Sequence, residues 1–406
     1  VILDSAAAGV MKHLSSRERM LAVLRYQEPD YVPLLFKPFG FQPSPQLAWS
    51  NQVEQARSWL SIGIDAWISV HPSLTFHPDV QVREWEETVP GERWPCMVKE
   101  YQTPAGDLRQ EVFRTDDWVT PDWPSHKGSG VHLTDDYNVP RYRKCLIETE
   151  DDLEKLKYLF CPLSDEAIVQ FREDAAAVAR QAQELGVLLV GHGSNGADMA
   201  IWLCGVESSV LMAMDRPEMF NSLLDIIHEQ EKRNVELLLD TPADFIMRRG
   251  YYEGASFWSP ALYREFFMPR IKELTRMVHQ GGRLMGYTMS VGYMPLLETF
   301  AEMGIDAHYL LDPVAGDTHI DLRKVKAAFD KKVAVIGGIN EPITLERGSR
   351  EEIRQQVFDA VEILGPGGGL ALTAAEAIFA HTPWESIETV IEAWKEVRDY
   401  PALKLT

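Results

Sequence analysis

The sequence has 406 residues, 45% of them hydrophobic, which is enough to bury a large core in a single domain. Its formal net charge of −21, without any run of lysine or arginine, argues against nucleic acid and anionic membranes as partners, because both bind cationic surfaces. No apolar stretch reaches the length of a membrane-spanning helix, and Val1 to Val10 lack the pattern of a secretory signal, so we expect a cytoplasmic protein. The four cysteines are widely spaced, which argues against a disulfide framework and against a thiolate zinc site.

The first 70 residues are predicted to form two helix–strand pairs. A helix over Ser16–Tyr26 precedes a strand over Val32–Phe39, and a helix over Gln52–Ser61 precedes a strand over Asp65–Val70. Each strand is a short apolar run that directly follows a helical pattern. This order is typical of the repeating units of a parallel sheet.

The region 76–143 interrupts this alternation. Stretches such as Val82-Arg83-Glu84-Trp85 and Val98-Lys99-Glu100-Tyr101 alternate as strands do, and Pro104-Ala105-Gly106-Asp107 has the composition of a turn. We predict a β-rich insertion after the second strand. It would serve as a lid or substrate wall over the site, or as a packing or dimerisation arm, in which case the protein would be a homodimer.

From about residue 184 onward, short apolar runs alternate regularly with helical patterns, which predicts six further strands. These runs are Val187–Val190, Asp244–Met247, Arg283–Gly286, His308–Leu311, Val333–Ile336 and Leu370–Thr373. The intervening helices have clear starts: Ser259-Pro260 opens a helix that continues to Gln280, and Ser349 caps Arg350–Leu364. With the two earlier strands the count is eight, so we predict one (β/α)8 TIM-barrel domain over residues 1–406.

In such a barrel the active site lies at the C-terminal ends of the strands, so polar residues at those positions are the candidates for function. They are His71, His192, Asn195, Arg248, Arg249, Tyr252, Glu253, Tyr287, Ser290, Asp312, Asn340 and Glu376. Among them we predict substrate-binding roles for a subset that contains His71, Arg248, Arg249, Tyr252, Glu253, Asp312 and Asn340.

For several of these residues two interpretations remain open. Arg248 or Arg249 would hold a substrate carboxylate with two hydrogen bonds, or would form an ion pair with Glu253 or another acid. His192, in a glycine-rich loop, would be a general acid or base, or would make a structural hydrogen bond. Glu376 would be an acid with a raised pKa at an apolar mouth, or the first-turn acid of a short helix.

These segments together resemble the uroporphyrinogen decarboxylase superfamily, in particular its branch of cobalamin-dependent methyltransferases. The segments that carry the resemblance are Ser16–Arg19, Glu28–Pro33, Gly63–Ala66, Ser259–Glu265, Gly304–Ala307, Ile336–Asn340 and Thr382–Ile387. Their order and spacing over most of the chain are more specific than any single segment. The fold that the resemblance implies is the barrel already predicted.

The sequence departs from the family at two functional motifs. Uroporphyrinogen decarboxylases bind the porphyrinogen carboxylates through an arginine-rich N-terminal motif, whereas Leu34–Gly40 contains one lysine and no arginine, which argues against that substrate. The zinc methyltransferases of the branch use His-x-Cys after strand five and Cys after strand eight. Here strand five is followed by Tyr287-Thr288-Met289, and no cysteine lies near Ala375, so we expect the three-ligand zinc site to be missing.

Three functional hypotheses follow. In the first, the protein transfers a methyl group from a small methylated substrate, such as an aromatic carboxylate, to a corrinoid (cobalamin) that is free or carried by a separate protein. Tyr287, Glu376 and His192 would then form the acid/base cluster that protonates the leaving group. In the second, the protein is a cofactor-independent decarboxylase or lyase of a small carboxylic acid. In the third, it only binds a ligand.

Overall fold

The computed structural model describes residues 13–41, 47, 49–118, 130–314 and 320–400. The start of the chain, Val1 to Val10, and residues 119–129 of the predicted insertion therefore lie outside the described residues. The α-helices are α1 Ser16–Leu24, α2 Gln52–Ser61, α3 Glu150–Leu156, α4 Asp165–Leu185, α5 Gly196–Cys204, α6 Val206–Asp215, α7 Pro217–Leu239, α8 Pro260–Leu262, α9 Met268–Gln280, α10 Leu297–Met303, α11 Leu322–Phe329, α12 Arg350–Leu364 and α13 Trp384–Val397.

The strands form two separate sheets. They are β1 Trp67–Val70, β2 Gln81–Glu87, β3 Cys96–Thr103, β4 Gly106–Phe113, β5 Tyr142–Lys144, β6 Leu188–Ser194, β7 Phe245–Arg249, β8 Leu284–Thr288, β9 Ala307–Leu311, β10 Ala334–Ile339 and β11 Leu370–Ala374. A parallel sheet has the order β1-β6-β7-β8-β9-β10-β11, and an antiparallel sheet has the order β2-β3-β4-β5. The architecture is therefore mixed α/β, with a parallel sheet of the TIM-barrel type.

The segment predicted as the first strand does not form a regular strand. It makes two isolated parallel bridges to the end of the sheet, Leu34 with Leu372 and Pro38 with Ile378. On its other side, the carbonyl of Leu34 accepts a hydrogen bond of 2.8 Å from the backbone N–H of Asp65. Because Pro33 and Pro38 have no N–H to donate, this segment cannot form a continuous ladder. The prediction of eight strands is confirmed only as a barrel-like sheet of seven parallel strands.

Side chains alternate between the two faces of this sheet, as strand geometry requires. One face packs against itself in an interior core to which Leu188, Val190, Phe245, Met247, Tyr309, Ile336 and Ala371 contribute. The other face packs against the surrounding helices in a larger core that includes Leu189, Ile246 and Met285. Helix α1 belongs to the interior core through Met20, Val23 and Leu24, so it covers one end of the barrel-like sheet.

The insertion forms the antiparallel sheet, as its alternating pattern predicts. Strands β2 and β3 pair from Gln81 with Gln102 to Glu87 with Cys96, and β3 pairs with β4 over Cys96–Thr103. The tight connection between β3 and β4 contains Gly106, whose φ of 119° is open to glycine but strained for other residues. The insertion thus has a hydrogen-bonded sheet of its own.

The predicted helices after residue 184 are present. Ser349 accepts a hydrogen bond from the backbone of Glu352, whose side chain accepts in return, and this capping box begins α12 where the sequence predicts it. The predicted helix to Gln280 is divided into α8, a π-helical turn over Tyr263–Phe267, and α9. In the described part of the chain, no single helix is long and apolar enough to cross a membrane; α5 and α6 meet that criterion only when joined, and they are bent by 105°.

Candidate functional site

A cavity of about 320 Å³ lies at the C-terminal ends of the parallel strands. We call it the mouth cavity; its lining residues are Lys37, Phe39, Asp136, Arg249, Tyr251, Tyr252, Phe257, Ser290, Val291, Glu376, Ala377 and Phe379. A larger groove of about 560 Å³ runs along α11 and α12 on the outer layer of helices. We place the site in the smaller cavity, because it combines aromatic walls with convergent charged groups at the strand ends.

Lys37 brings a positive charge into the mouth cavity. It follows the bridge at Leu34 and is half-buried, and its Nζ donates a hydrogen bond of 3.0 Å to the hydroxyl of Tyr251. Burial lowers the pKa of Lys37 to about 8, and the charge of Arg249 acts in the same direction, whereas Glu376 opposes it. Among the described residues no carboxylate lies within ion-pair distance of Lys37, so its charge is available to a ligand.

Glu376 is the second residue after the end of β11 and lines the same cavity as Lys37. Its φ is 69°, in the left-handed region that a residue with a Cβ rarely adopts, and such strain is common where side chains are positioned for function. The hydroxyl of Ser290 donates a short hydrogen bond to its carboxylate. Burial raises the pKa of Glu376, although Ser290 and the charge of Lys37 act in the opposite direction. Burial thus favours the protonated form of Glu376, which is the form that can donate a proton.

Arg249, the last residue of β7, lines the same cavity but already has partners for its charge. Its Nε donates to Asp198 at 3.0 Å, and a terminal nitrogen donates to Asp136 at 3.2 Å. Its guanidinium also lies 4.8 Å from the ring centroids of both Trp202 and Tyr251. Because two carboxylates offset the charge of Arg249, it should attract a substrate anion less strongly than Lys37 does.

Arg248, the residue before it, points to the other face of the sheet and is only 2% exposed. It donates to both oxygens of Glu253 at 2.7 and 2.9 Å, and its Nε lies 3.3 Å from Glu231. The hydroxyl of Tyr287 donates a short hydrogen bond to Glu253 and receives one of 3.2 Å from Tyr263. We call Arg248, Glu253, Glu231, Tyr287 and Tyr263 the buried network. The interpretation of Arg248 as the ion-pair partner of Glu253 is the one that the geometry supports.

The backbone at the start of α5 completes the buried network. The N–H of Gly196 donates to Glu231, and the N–H of Ala197 donates to Glu253, both at 2.8 Å. A Cβ on Gly196 would lie 2.1 Å from a guanidinium nitrogen of Arg248, so only glycine fits at this position. The carboxylates are thus bound by backbone and guanidinium donors, as a dry ionic cluster requires.

The three residues predicted as one acid/base cluster are divided between two places. Tyr287 lies in the buried network, where burial raises its pKa far above the ordinary value. Glu376 lies in the mouth cavity with Ser290. The physical reason is strand alternation: Tyr287 pairs in register with Arg248, and both side chains are on the face that packs against helices. The prediction that Tyr287 and Glu376 form one cluster is therefore corrected: the two side chains lie apart, in the buried network and in the mouth cavity, and bond to different partners.

His192 lies on the interior side of β6, next to the mouth cavity. Its ring stacks on that of His71 with 4.9 Å between centroids and 7° between planes. Burial lowers the pKa of His192 well below its ordinary value, and the nearby charges of His71, Lys37 and Arg249 act in the same direction. Burial also lowers the pKa of His71. Both rings are therefore neutral near pH 7, so His192 has no imidazolium proton to donate, and its lowered pKa also makes it a weak base.

Asn340 and Asp312 bind each other on the outer side of the mouth. The amide of Asn340 donates to Asp312 at 2.8 Å, while its carbonyl accepts from the backbone of Ile343 and Thr344 as the cap of the following helical turn. The carbonyl of Asp312 accepts a hydrogen bond of 2.6 Å from Tyr293. Neither residue lines the mouth cavity, and these contacts fix loops at the strand ends. Their predicted binding of substrate stays a prediction.

The insertion contributes a wall of the mouth cavity through Asp136. Besides Arg249, this carboxylate accepts a hydrogen bond of 2.7 Å from the indole nitrogen of Trp202. Tyr252 stands beside it; burial raises the pKa of that tyrosine, and the charge of Asp136 adds to the effect. The backbone N–H of Tyr252 donates to Asp198 at 2.9 Å. Residue Tyr252, predicted to bind substrate, does lie in the cavity wall.

The residues at the family's zinc position do not offer zinc ligands. Tyr287 has its hydroxyl on Glu253, and Thr288 and Met289 are buried with a hydroxyl and a thioether, which are poor donors for zinc. Across the ranges that the structure describes, no three His, Cys, Asp or Glu side chains are grouped to hold a metal ion. The side chains at this position therefore do not fit zinc.

Sequence reasoning missed four residues of the site: Lys37, Tyr251, Asp136 and Asp198. Tyr251 had a signal, since it stands close after β7, and Lys37 had one as the single charged residue of the predicted strand Val32–Phe39. Asp198 belongs to the first turn of α5, where an acid also has an ordinary role. Asp136 is 113 residues from its partner Arg249 in sequence and carries no local pattern.

Comparison with known proteins gives a match over most of the chain. The family model described as Uroporphyrinogen decarboxylase (URO-D) matches residues 124–397. A solved methyltransferase from Methanosarcina mazei is similar with a TM-score of 0.56 and 16% sequence identity, over 94% of this chain and 99% of that one. A 3-keto-D-glucoside 4-epimerase from E. coli has a TM-score of 0.34 and 11% identity, over 60% and 94% of the two chains. No curated protein matches the sequence.

Proposed function

The chain belongs to the uroporphyrinogen decarboxylase family, and from this premise we propose that it is an enzyme that removes a methyl group from a small methylated carboxylate. The acceptor is a corrinoid, free or carried by a separate protein. The observation that carries the proposal is the presence of Lys37 and the strained Glu376 in the wall of the same mouth cavity. The methyltransferase of similar fold over nearly its whole length supports the choice of methyl transfer.

The dimensions and walls of the mouth cavity define the substrate class. A volume of about 320 Å³ is at the lower end of the range of small-molecule sites, roughly 300–1,000 Å³. Five of its lining residues are aromatic, namely Phe39, Tyr251, Tyr252, Phe257 and Phe379. Such walls favour a flat, aromatic body, and the charge of Lys37 favours one carboxylate. A methoxylated aromatic acid meets both conditions.

The protein's own residues have two tasks in the reaction. Lys37 binds the substrate carboxylate, which offsets the charge that otherwise lowers the pKa of Glu376. Glu376 is then more fully protonated, and it donates its proton to the substrate oxygen as the bond from that oxygen to the methyl carbon breaks. Ser290, which donates to Glu376, holds the carboxyl in place. The product is the free hydroxyl compound, and the methyl group leaves without the electron pair of the broken bond.

A reduced corrinoid supplies, when bound, a strongly nucleophilic cobalt that takes up a methyl group. The mouth cavity has room for the substrate, so the residues that line it would hold the substrate rather than this acceptor. The aromatic walls of the cavity exclude water from the reacting oxygen and so protect the proton transfer from Glu376.

A cofactor-independent decarboxylase is the second candidate, and the juxtaposition of Lys37 and Glu376 favours it as well. Loss of carbon dioxide leaves an electron pair on the substrate carbon, which Lys37 would stabilise by its charge and Glu376 would protonate. The family to which the chain belongs includes decarboxylases by its description. The two candidates differ in whether the carboxylate remains in the product.

The deciding experiment incubates the full chain with 4-methoxybenzoate, with and without reduced cobalamin, and measures methylcobalamin by absorbance and carbon dioxide by release. We expect methylcobalamin and 4-hydroxybenzoate. In Glu376→Gln the rate should fall by about 10²–10⁴-fold, the usual contribution of a general acid. Methoxybenzene, which lacks the carboxylate, should react much more slowly than the acid in wild type.

Tyr287→Phe is the matched control, because it also removes a hydroxyl donor near the strand ends but outside the mouth cavity. Its rate should stay within about threefold of wild type. Carbon dioxide release without cobalamin would select the decarboxylase. Binding of the acid without any turnover, across methoxylated benzoates of each substitution pattern, would contradict both candidates and favour a binding protein.

A further inference from the structure

We propose that Asp136 limits the mouth cavity to substrates with a single anionic group. The proposal deepens the proposed function and rests on it, since it concerns the substrate class of the same cavity. Asp136 comes from the insertion, whereas the residues that we assign to the reaction come from the strand ends. The insertion is thereby the element that determines specificity.

Two cations and three carboxyl groups determine which anions the cavity can accept, namely Lys37, Arg249, Asp136, Asp198 and Glu376. Lys37 has the Tyr251 hydroxyl as its hydrogen-bond acceptor, and no described carboxylate lies within ion-pair distance of its charge. Arg249 is bound by Asp198 at 3.0 Å and by Asp136 at 3.2 Å. A substrate with one carboxylate has its counter-charge in Lys37. A second carboxylate would have to pair with Arg249, the other cation among the described lining residues of the cavity.

The Asp136 carboxylate stands between that second carboxylate and Arg249. Asp136 lines the cavity with its side chain 34% exposed, while Asp198 behind it is fully buried. A second anion near Arg249 would therefore meet a like charge at the wall, and repulsion of this kind is a strong determinant of specificity. Removing the charge of Asp136 would leave Arg249 with one carboxylate partner and a free position for another.

The position of Asp136 is fixed by a second bond. One of its oxygens accepts the indole N–H of Trp202 at 2.7 Å, and the other accepts from Arg249. The Asp136 side chain consequently helps to hold the insertion against α5 and β7, and the hydroxyl of Tyr142 adds a hydrogen bond of 2.5 Å to the carbonyl of Trp202. This double role requires a test that separates the charge of Asp136 from its contribution to the attachment of the insertion.

The test measures the binding of benzoate and of isophthalate, which has one more carboxylate, by isothermal titration calorimetry at pH 7. Wild type should bind benzoate at least tenfold more tightly than isophthalate. In Asp136→Asn, which keeps a similar shape without the charge, this ratio should fall at least fivefold because isophthalate binds more tightly. Asp107→Asn removes an exposed charge elsewhere on the insertion and should leave the ratio unchanged.

Trp202→Phe separates charge from attachment. It removes the hydrogen bond to Asp136 but keeps an aromatic ring beside Arg249 and the carboxylate itself. The ratio should stay near that of wild type. An unchanged ratio in Asp136→Asn, an equal shift in Trp202→Phe, or a wild type without preference for benzoate would each overturn the proposal. If the selectivity changes as expected but no methyl transfer or carbon dioxide release is found, only the proposed function fails.

Discussion

The buried network and the mouth cavity use the same kinds of side chain, yet they differ in how completely their charges are matched. Arg248 and Arg249 are consecutive residues of β7 and point to opposite faces. Arg248 has two carboxylates, no access to solvent and rigid backbone donors around its partners. The cavity has a lysine that forms no ion pair with a described carboxylate, and a glutamate with a raised pKa.

Whether a buried charge has its full set of partners therefore distinguishes structural residues from ligand-binding residues better than residue type does. A charge whose partners are complete contributes to a folded state that would be damaged by its loss. A charge that is left without a partner at a cavity wall, at a cost to the protein, is available for a ligand. The predictions that follow test this division, each by a change on one side of it.

The largest expected effect is on stability and comes from the buried network. Arg248→Met leaves the carboxylates of Glu253 and Glu231 buried without their cation, which should lower the free energy of unfolding by about 3–5 kcal/mol. Urea denaturation measures it. Arg264→Met is the control, because its pair with Glu302 is about half exposed and should cost at most about 1 kcal/mol. Equal losses in the two variants would show that the network is not a matched unit.

The affinity for an anionic ligand should decrease at high pH because Lys37 loses its proton. Since its pKa is lowered to about 8, the ammonium loses its proton above that pH, and the affinity for benzoate should then fall about tenfold per pH unit. Of the groups that face it, Tyr251 and Arg249 do not share this behaviour, because the pKa of each is raised above its ordinary value. Lys37→Arg should keep its affinity to about pH 10. Calorimetric titrations between pH 6 and 10 would reveal a flat wild-type profile if Lys37 does not bind the anion.

Much of the fold could be predicted from the sequence. The family resemblance is confirmed, and strands and helices after residue 184 were predictable because apolar periodicity and caps such as Ser349 act over a few residues. The regular first strand was not formed, since Pro33 and Pro38 interrupt the ladder, a signal that was present in the sequence.

For the site, alternation along β7 would have separated Arg248 from Arg249, because Phe245 and Met247 face the interior and Arg249 continues their row. The same rule places Tyr287 away from the mouth. Asp136 could not be predicted, since its contact with Arg249 depends on how the insertion packs against the sheet. Contacts over such separations are set by tertiary structure and leave no local pattern.

His308 lies beside Tyr287 on the face of the sheet that packs against helices. It should make the stability of the protein depend on pH. It is fully buried among the rings of Tyr293, Phe300 and Phe329, and burial lowers its pKa to about 3. Between pH 6.5 and 3 the unfolded chain binds a proton that the folded chain does not, so stability falls as pH falls. From pH 7 to 5 this loss should be about 2 kcal/mol.

The variant His308→Phe removes this titration, and urea denaturation at pH 7 and pH 5 measures its effect. The other histidines are present in both proteins, so their contributions cancel in the difference between wild type and variant. Stability of the variant should therefore decline by about 2 kcal/mol less than that of wild type over this interval. The same decline in both proteins would mean that His308 takes up a proton in the folded state. Water would then reach this face of the sheet, contrary to the burial seen in the structure.

Tyr287→Phe has the smallest expected effect and bears most directly on the division between the two regions. The change removes the hydroxyl that donates to Glu253 but keeps the ring that packs on Phe300, and Arg248 still holds both oxygens of that carboxylate. The free energy of unfolding should fall by about 1 kcal/mol, the net value of one hydrogen bond. Turnover of 4-methoxybenzoate and its pH profile should stay as in wild type. If turnover were lost while stability was kept, Tyr287 would take part in the reaction, and the matched charges of the buried network would have to open to the cavity during catalysis.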